Sequence, residues 1–288
     1  MISAHIRRTL IAGIAIVAFL VLAGATYQGA ATALERRRFP HPGALVGVGG
    51  HQLHIYCVGQ GSPVVVLEAP AAGMSTAWGW IQPEVGSVTR VCSYDRAGLG
   101  WSEAGDNPYS SSDVPEQLHA LLDAAKEAPP YVVVGDGLGA ALVTLYAARF
   151  GGDVATVVLI DPPAADSPPR QLTSMMRLAN VSPWLARTGV LRATRLMSSN
   201  AAGLPEPARG ALGAFLNRPD HLARAARELA QWDDAIALAA HATIDPRIPV
   251  VRIQVARPGG AAFLTERDEA HKAAAAIINA LARLRGNQ

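Results

Sequence analysis

From Leu10 to Ala25 the chain reads LIAGIAIVAFLVLAGA without one charged position, and Arg7 and Arg8 precede it. Extended to residues 9–31, the stretch predicts a helix long enough to cross roughly 30 Å of hydrocarbon. A cleaved signal peptide is the rival reading, because Ala23-Gly24-Ala25 resembles a small-residue cleavage site. The apolar run is longer than most signal cores, which favours an uncleaved, single-pass anchor behind a tail of residues 1–8. Arg36–Arg38 beyond the run offset Arg7 and Arg8, so charge alone leaves the orientation open.

After the anchor the pattern changes. ERRRFPHPG, Glu35 to Gly43, is basic and proline-broken, and residues 32–43 read as a linker. Two strands then flank a Gly49-Gly50 turn, a hairpin signal. Ser62–Pro70, Thr89–Asp95, Tyr131–Val134, Thr156–Asp161 and Ile248–Val255 are short apolar runs, the mark of strands buried on both faces. Helical segments fall between them: near Trp78–Val85, from a start signal at Asp113 to about Lys126, and over Ala140–Phe150. An amphipathic helix runs from about Glu266 to Arg285. Strands alternating with helices predict an α/β fold, a mostly parallel sheet with helices on both faces. From Pro162 to about Thr243 only helical patterning remains, which predicts a helical cap inserted above the sheet. The expected organisation is a core at 44–162, a cap at 163–245 and the rest of the core at 246–288.

Composition narrows the class without naming a function. The 288 residues are half hydrophobic and 17% charged, which suits a globular domain plus a membrane segment. A net charge of +2 with scattered arginines carries no nucleic-acid signal. Cys57 and Cys92 are the only cysteines, too few for a disulfide scaffold and not clustered as zinc ligands, so no metal or other cofactor is expected.

The chemistry turns on YVVVGDGLGAALVTLYAARF, Tyr131 to Phe150. Gly135, Gly137 and Ala140 match G-x-G-x-x-[GA] between a strand and a helix, and Asp161 ends the next strand where a ribose-binding acid would sit. That dinucleotide reading is weak, because glycine turns end many parallel strands and this unit lies mid-chain. The same turn also fits the nucleophile elbow G-x-S-x-G, with Gly135 and Gly139 as the small flanking residues and Gly137 at the nucleophile position.

The second reading gains from what surrounds it. YDRAGLGWS carries D-x-x-G-x-G-x-S at Asp95, Gly98, Gly100 and Ser102, and PPYVVVGDGLGA and TVVLIDPP follow in order. Over roughly Pro40 to Arg285 the chain resembles membrane-anchored bacterial members of the α/β-hydrolase fold family. The resemblance implies a serine nucleophile where Gly137 stands, and a catalytic histidine on the loop before the last helix, where Ala261 is the best match. It implies an oxyanion loop after the third strand, here Pro70, Ala71 and Ala72, with Leu138 as the second amide donor. Proline has no N–H, but Ala71 would normally donate. Only about ten residues separate Ile248–Val255 from the final helix, so the sheet is expected to be one strand short at its C-terminal end. His271 falls inside that helix. Of the usual machinery only acids remain, Asp136 and Asp161. Asp136 does not suit the elbow as a nucleophile, since Val134 and Leu138 flank it at two residues' distance.

In this fold's strand order the second strand lies beside the fourth, and these carry Cys57 and Cys92. A disulfide and a pair of buried thiols are equally open readings, and a disulfide would imply an extracytoplasmic domain. The expectation is a pseudo-hydrolase held in the bacterial cytoplasmic membrane with its folded domain outside, serving as an accessory or assembly subunit with other membrane-complex subunits as partners. The alternatives are a lipid- or ester-binding module and a hydrolase using Asp136. The cap's arginines and Trp184 are candidate contacts for a partner or for lipid headgroups.

Overall fold

The computed structural model describes residues 4–105, 109–163, 170–257 and 262–286. Its first element is α1 (Ala4–Arg38), a single helix of 35 residues. It is long and apolar enough to cross a membrane. The linker expected at 32–43 is therefore helical through Arg38. Glu-Arg-Arg-Arg is a good helix-forming run with its cations at the favourable C-terminal end, and the chain turns away only as Pro40 approaches.

Strands β1 (Ala44–Val48) and β2 (His51–Val58) form the hairpin. Gly49 and Gly50 have φ of +58° and +100°, the left-handed pair that a two-residue turn requires. The other strands are β3 (Val64–Glu68), β4 (Val91–Tyr94), β5 (Tyr131–Asp136), β6 (Val154–Ile160) and β7 (Val250–Ile253). They assemble in the order β1-β2-β4-β3-β5-β6-β7. The β1–β2 and β2–β4 pairs are antiparallel and the others parallel. Among the described residues no strand follows β7.

Alternation along the central strands feeds two cores. Val64, Val66, Tyr131, Val133 and Val157 face α3 (Val114–Ala124) and α4 (Leu138–Arg149). Val65, Leu67, Val132, Val134 and Val158 face α2 (Ile81–Gly86) and the final helix. A short 3-10 turn, Ser111–Asp113, precedes α3, and Ser110 rather than Asp113 supplies the side-chain cap. The cap comprises α5 (Arg170–Arg187), α6 (Val190–Thr194), α7 (Ala208–Phe215), α8 (Pro219–Ala230) and α9 (Trp232–His241). It closes on Ala71, Leu138 and Leu142 through Leu229, Trp232 and Ile236. The last helix is α10 (Arg267–Gly286).

Two constraints hold this assembly. The first is polar. Arg96, just after β4, is bidentate to Glu228 of α8 at 2.7 and 3.0 Å, and also donates to Glu68 at the end of β3. The same guanidinium donates to the carbonyls of Ala69 and Pro70 at 2.8 and 3.0 Å. Tyr94 donates its hydroxyl to Glu68. Burial pushes the Glu68 carboxyl above its ordinary range, although Arg96 and Tyr94 pull the other way. At Glu228 burial acts in the same direction, but the Arg96 charge and hydrogen bonds win and hold the carboxyl below its ordinary range.

Close by, Asp95 accepts from the Ser75 and Trp101 amides at 2.6 and 2.9 Å and from His54 Nδ1 at 3.0 Å. The buried His221 accepts from the Gly100 amide at Nδ1 and donates from Nε2 to Ala72 O, both at 3.1 Å. Burial pushes its pKa down, which keeps this bridging ring neutral.

The second constraint is covalent. Cys57 of β2 lies directly opposite Cys92 of β4 in the antiparallel register, and the two form a disulfide across a separation of 35 residues. Glu127 lies near both sulfurs, but a disulfide has no thiolate to offer a metal, and Glu127 pairs with Arg90.

Two outcomes are expected. Replacing both cysteines by serine should lower the unfolding free energy by about 2–4 kcal/mol in urea titrations, from the loop the bond closes, and thiol assay of the native chain should find no free thiol before reduction. Arg96→Met should cost about 3–5 kcal/mol, because it strands two buried carboxylates. Adding Glu68→Gln and Glu228→Gln should recover much of that loss; no recovery would mean that packing rather than charge sets the cost.

Candidate functional site

Strand β5 passes into α4 through one residue. Gly137 has φ +54° and ψ −115°, a conformation that belongs to neither element and strains an L-residue. The turn is tight because the strand, the helix and the loop after β3 converge on it. A Cβ on Gly135 would lie 2.2 Å from the Gly139 carbonyl oxygen, and one on Gly139 would lie 2.4 Å from that of Glu68. Gly137 is different. A Cβ there would meet only Pro70 Cβ, at 3.8 Å, an ordinary contact. The strand–turn–helix that lifts a nucleophile out of a sheet is thus present, with room for a side chain and none in place.

The loop facing it runs from Ala69 to Gly73. Gly73 donates its amide to the Pro70 carbonyl at 2.9 Å, closing a turn that starts at the proline. Of the expected amides, Ala72 is already used: it donates to Glu228 Oε2 at 3.1 Å. The Ala71 and Leu138 amides meet no acceptor among the described residues. Leu138 directly follows Gly137 at the start of α4, and Ala71 packs in the same buried cluster as Leu138.

Arg257, on the loop after β7, was not singled out from the sequence, yet it organises the acids. It donates from Nη2 to Asp136 and from Nε to Asp161, the latter at 2.8 Å. Asp161, with φ +44°, also accepts from the Val255 amide at 3.0 Å. Both residual acids are therefore spent on one guanidinium, and the ribose-binding role considered for Asp161 loses its free carboxylate. Asp136 is 2% exposed; burial raises its pKa to about 6, with Arg257 working against the rise. A guanidinium cannot be deprotonated here and is no proton acceptor.

Ala261, the expected histidine position, lies outside the described residues. His271 sits in α10 with Nδ1 2.5 Å from Glu84 Oε2 of α2, on the far side of the sheet from α4. Among the described residues no histidine is hydrogen-bonded to Asp136 or Asp161. His54 and His221, both buried, serve Asp95 and the loop at Ala72. A groove of about 1060 Å³ lies between Phe39, Tyr56, Trp80, Trp101 and His271, and no elbow residue lines it.

Comparison with known proteins accords with this geometry. The family model described as the alpha/beta hydrolase fold matches residues 63–248. An uncharacterized Bacillus subtilis protein, YqjL, is 30% identical over 108 residues, which is 38% of this chain and 43% of that protein. The 2-hydroxy-6-oxo-2,4-heptadienoate hydrolase of Pseudomonas putida is 32% identical over 122 residues, 41% of this chain and 44% of the hydrolase. The matches span less than half the length of these curated relatives. Among solved structures, the enol-lactonase of Burkholderia xenovorans superposes with a TM-score of 0.59 at 17% identity, covering 83% of this chain and all of the lactonase. At that identity the likeness speaks to fold alone. The family match runs from β3 through the turn after β4, the elbow and the cap, and the chain belongs to the α/β-hydrolase fold family.

Proposed function

We propose that this is a membrane-anchored hydrolase-fold protein without hydrolytic activity, an accessory or assembly subunit of a bacterial membrane complex. One observation carries the reading: beside an elbow built on Gly137, Arg257 holds Asp136 and Asp161. An ester hydrolase needs a nucleophile and a base that an acid can orient. Here the nucleophile position has no side chain, and the acids bind a permanent cation. The same pairing argues against Asp136 as an alternative nucleophile. The apolar α1 supports a single-pass anchor in the cytoplasmic membrane. The Cys57–Cys92 disulfide supports a domain on the oxidising, extracytoplasmic side. A second reading, a lipid- or ester-binding module, draws on the unengaged Ala71 and Leu138 amides, which would suit a carbonyl oxygen.

The native mass after mild detergent extraction from the source membrane tests the subunit reading. A particle far above 30.1 kDa, with other chains in fixed ratio, is expected; a lone monomer would overturn it. Short-chain p-nitrophenyl esters should not be turned over by the native protein or by Gly137→Ser, which restores a hydroxyl but no base. Turnover abolished by Asp136→Asn would instead establish a hydrolase.

The pKa of Asp136, about 6 against an ordinary 3.8, yields a further expectation. A carboxyl raised in the folded state contributes stability below about pH 4 and loses it as pH rises through about 6. Relative to wild type, Asp136→Asn should therefore gain on the order of 1–3 kcal/mol between pH 4 and pH 7, read as the difference between two urea-denaturation series. A flat difference would show that Arg257 keeps Asp136 ionised throughout.

A further inference from the structure

Among the described residues, the contacts that tie helix α1 to the cap fall in its second half. A Cβ on Gly24 would lie 2.0 Å from the Thr188 carbonyl oxygen, and the Tyr27 ring reaches Gly189. Gln28 is buried and donates to the Asn217 carbonyl at 2.7 Å. Arg192 binds Glu35 and donates to Gln28 Oε1 at 2.9 Å. Before Gly24 the apolar side chains are exposed, Ile14, Phe19 and Leu22 among them.

The docked half sets how much helix is left for a bilayer. Between Arg8 and Gly24 lie the fifteen residues Thr9–Ala23, which rise about 22 Å. The hydrocarbon core of a bilayer is about 30 Å thick. Snorkelling by Arg7 and Arg8 relieves part of the mismatch at one end. The remainder is met at the other, where Gly24 touches Thr188. That contact therefore lies at the membrane interface, and the cap comes with it.

The cap edge around this contact has the matching chemistry. Trp184, one turn before Thr188, is 69% exposed, and Val181, Val190 and Leu196 are 49%, 46% and 53% exposed. Arg187 stacks over Trp184 at 4.7 Å, and Arg195 is exposed. From Arg170 to Pro205 the sequence has five arginines and no Asp or Glu, and of these Arg192 is paired with Glu35. Exposed aromatic and aliphatic side chains beside Arg187 and Arg195, which pair with no carboxylate among the described residues, suit a headgroup layer carrying anionic phosphates.

We propose that Val181–Leu196, the end of α5 together with α6, is a membrane-contact surface. It lies in the interface of the bilayer that α1 spans, with Trp184 at headgroup depth and Arg187 and Arg195 on anionic phospholipid. The proposal rests on the anchor reading of α1, and its test separates the two. The full chain is placed in vesicles of phosphatidylcholine and phosphatidylglycerol, with one nitroxide at Trp184→Cys, Val181→Cys, Ile16→Cys or Arg247→Cys. The native cysteines are bonded to each other and do not take the label. Collision with oxygen against a water-soluble nickel complex gives depth. Ile16→Cys should be lipid-buried and Arg247→Cys aqueous, with Trp184→Cys and Val181→Cys between them, at least threefold more protected from nickel than Arg247→Cys. If both cap labels match Arg247→Cys while Ile16→Cys is buried, the cap surface is overturned and the anchor stands. If Ile16→Cys is itself aqueous, both fall. Spin–spin broadening at Trp184→Cys that disappears on dilution with unlabelled chain would place a second copy on this edge instead, and would overturn the lipid contact.

Discussion

A single guanidinium decides how the two halves of this domain meet. Arg96 comes from the sheet, Glu228 from the cap and the Ala69 and Pro70 carbonyls from the loop beside the elbow. In a low-dielectric interior such a cation is stable only if its donors are met. Here Glu228, Glu68 and two carbonyls meet them. The geometry works in reverse as well: the loop can take only the path that puts its carbonyls on Arg96, and α8 only the position that brings Glu228 to the same group. A loop that glycines would otherwise shape is held by charge, so Pro70 is accommodated, and the Ala72 amide is drawn to Glu228 rather than to the elbow.

Arg257 applies the same device to a different end. It too lies between two acids, but at the mouth of the elbow, and what it organises is Asp136 and Asp161. The elbow itself needs no catalysis to persist. Gly135 and Gly139 are demanded by the packing of β5, α4 and the end of β3, so the turn keeps its shape whether or not Gly137 carries a side chain. Architecture and reactivity are separable here because different atoms supply them.

That separation also marks what could be read along the chain. The valine-rich runs of β3, β5 and β6, the Gly49-Gly50 hairpin and the glycine spacing of the elbow depend on near neighbours, and all were legible as patterns. Partnerships across long stretches of chain were not. Arg96 and Glu228 are 132 positions apart, and Arg257 and Asp136 are 121 apart; nothing local distinguishes these charges from solvated ones. The strand order made a Cys57–Cys92 bond conceivable, but only the register of β2 on β4 places the two opposite each other. The linker expected at 32–43 differs from the structure for a local reason. Pro40 and Pro42 signal a break, but the three arginines before them are good helix formers at a terminus that favours cations.

Helix α1 and the cap share contacts at Gly24, Gln28 and Glu35, so no free tether separates them. A domain on a flexible leash samples many tilts and must lose that rotational freedom when it meets a neighbour. This one carries its orientation with it. On the anchor reading proposed for α1, a protein in the same membrane would meet one profile at one height, and recognition would reduce to a search in two dimensions with the angle already chosen.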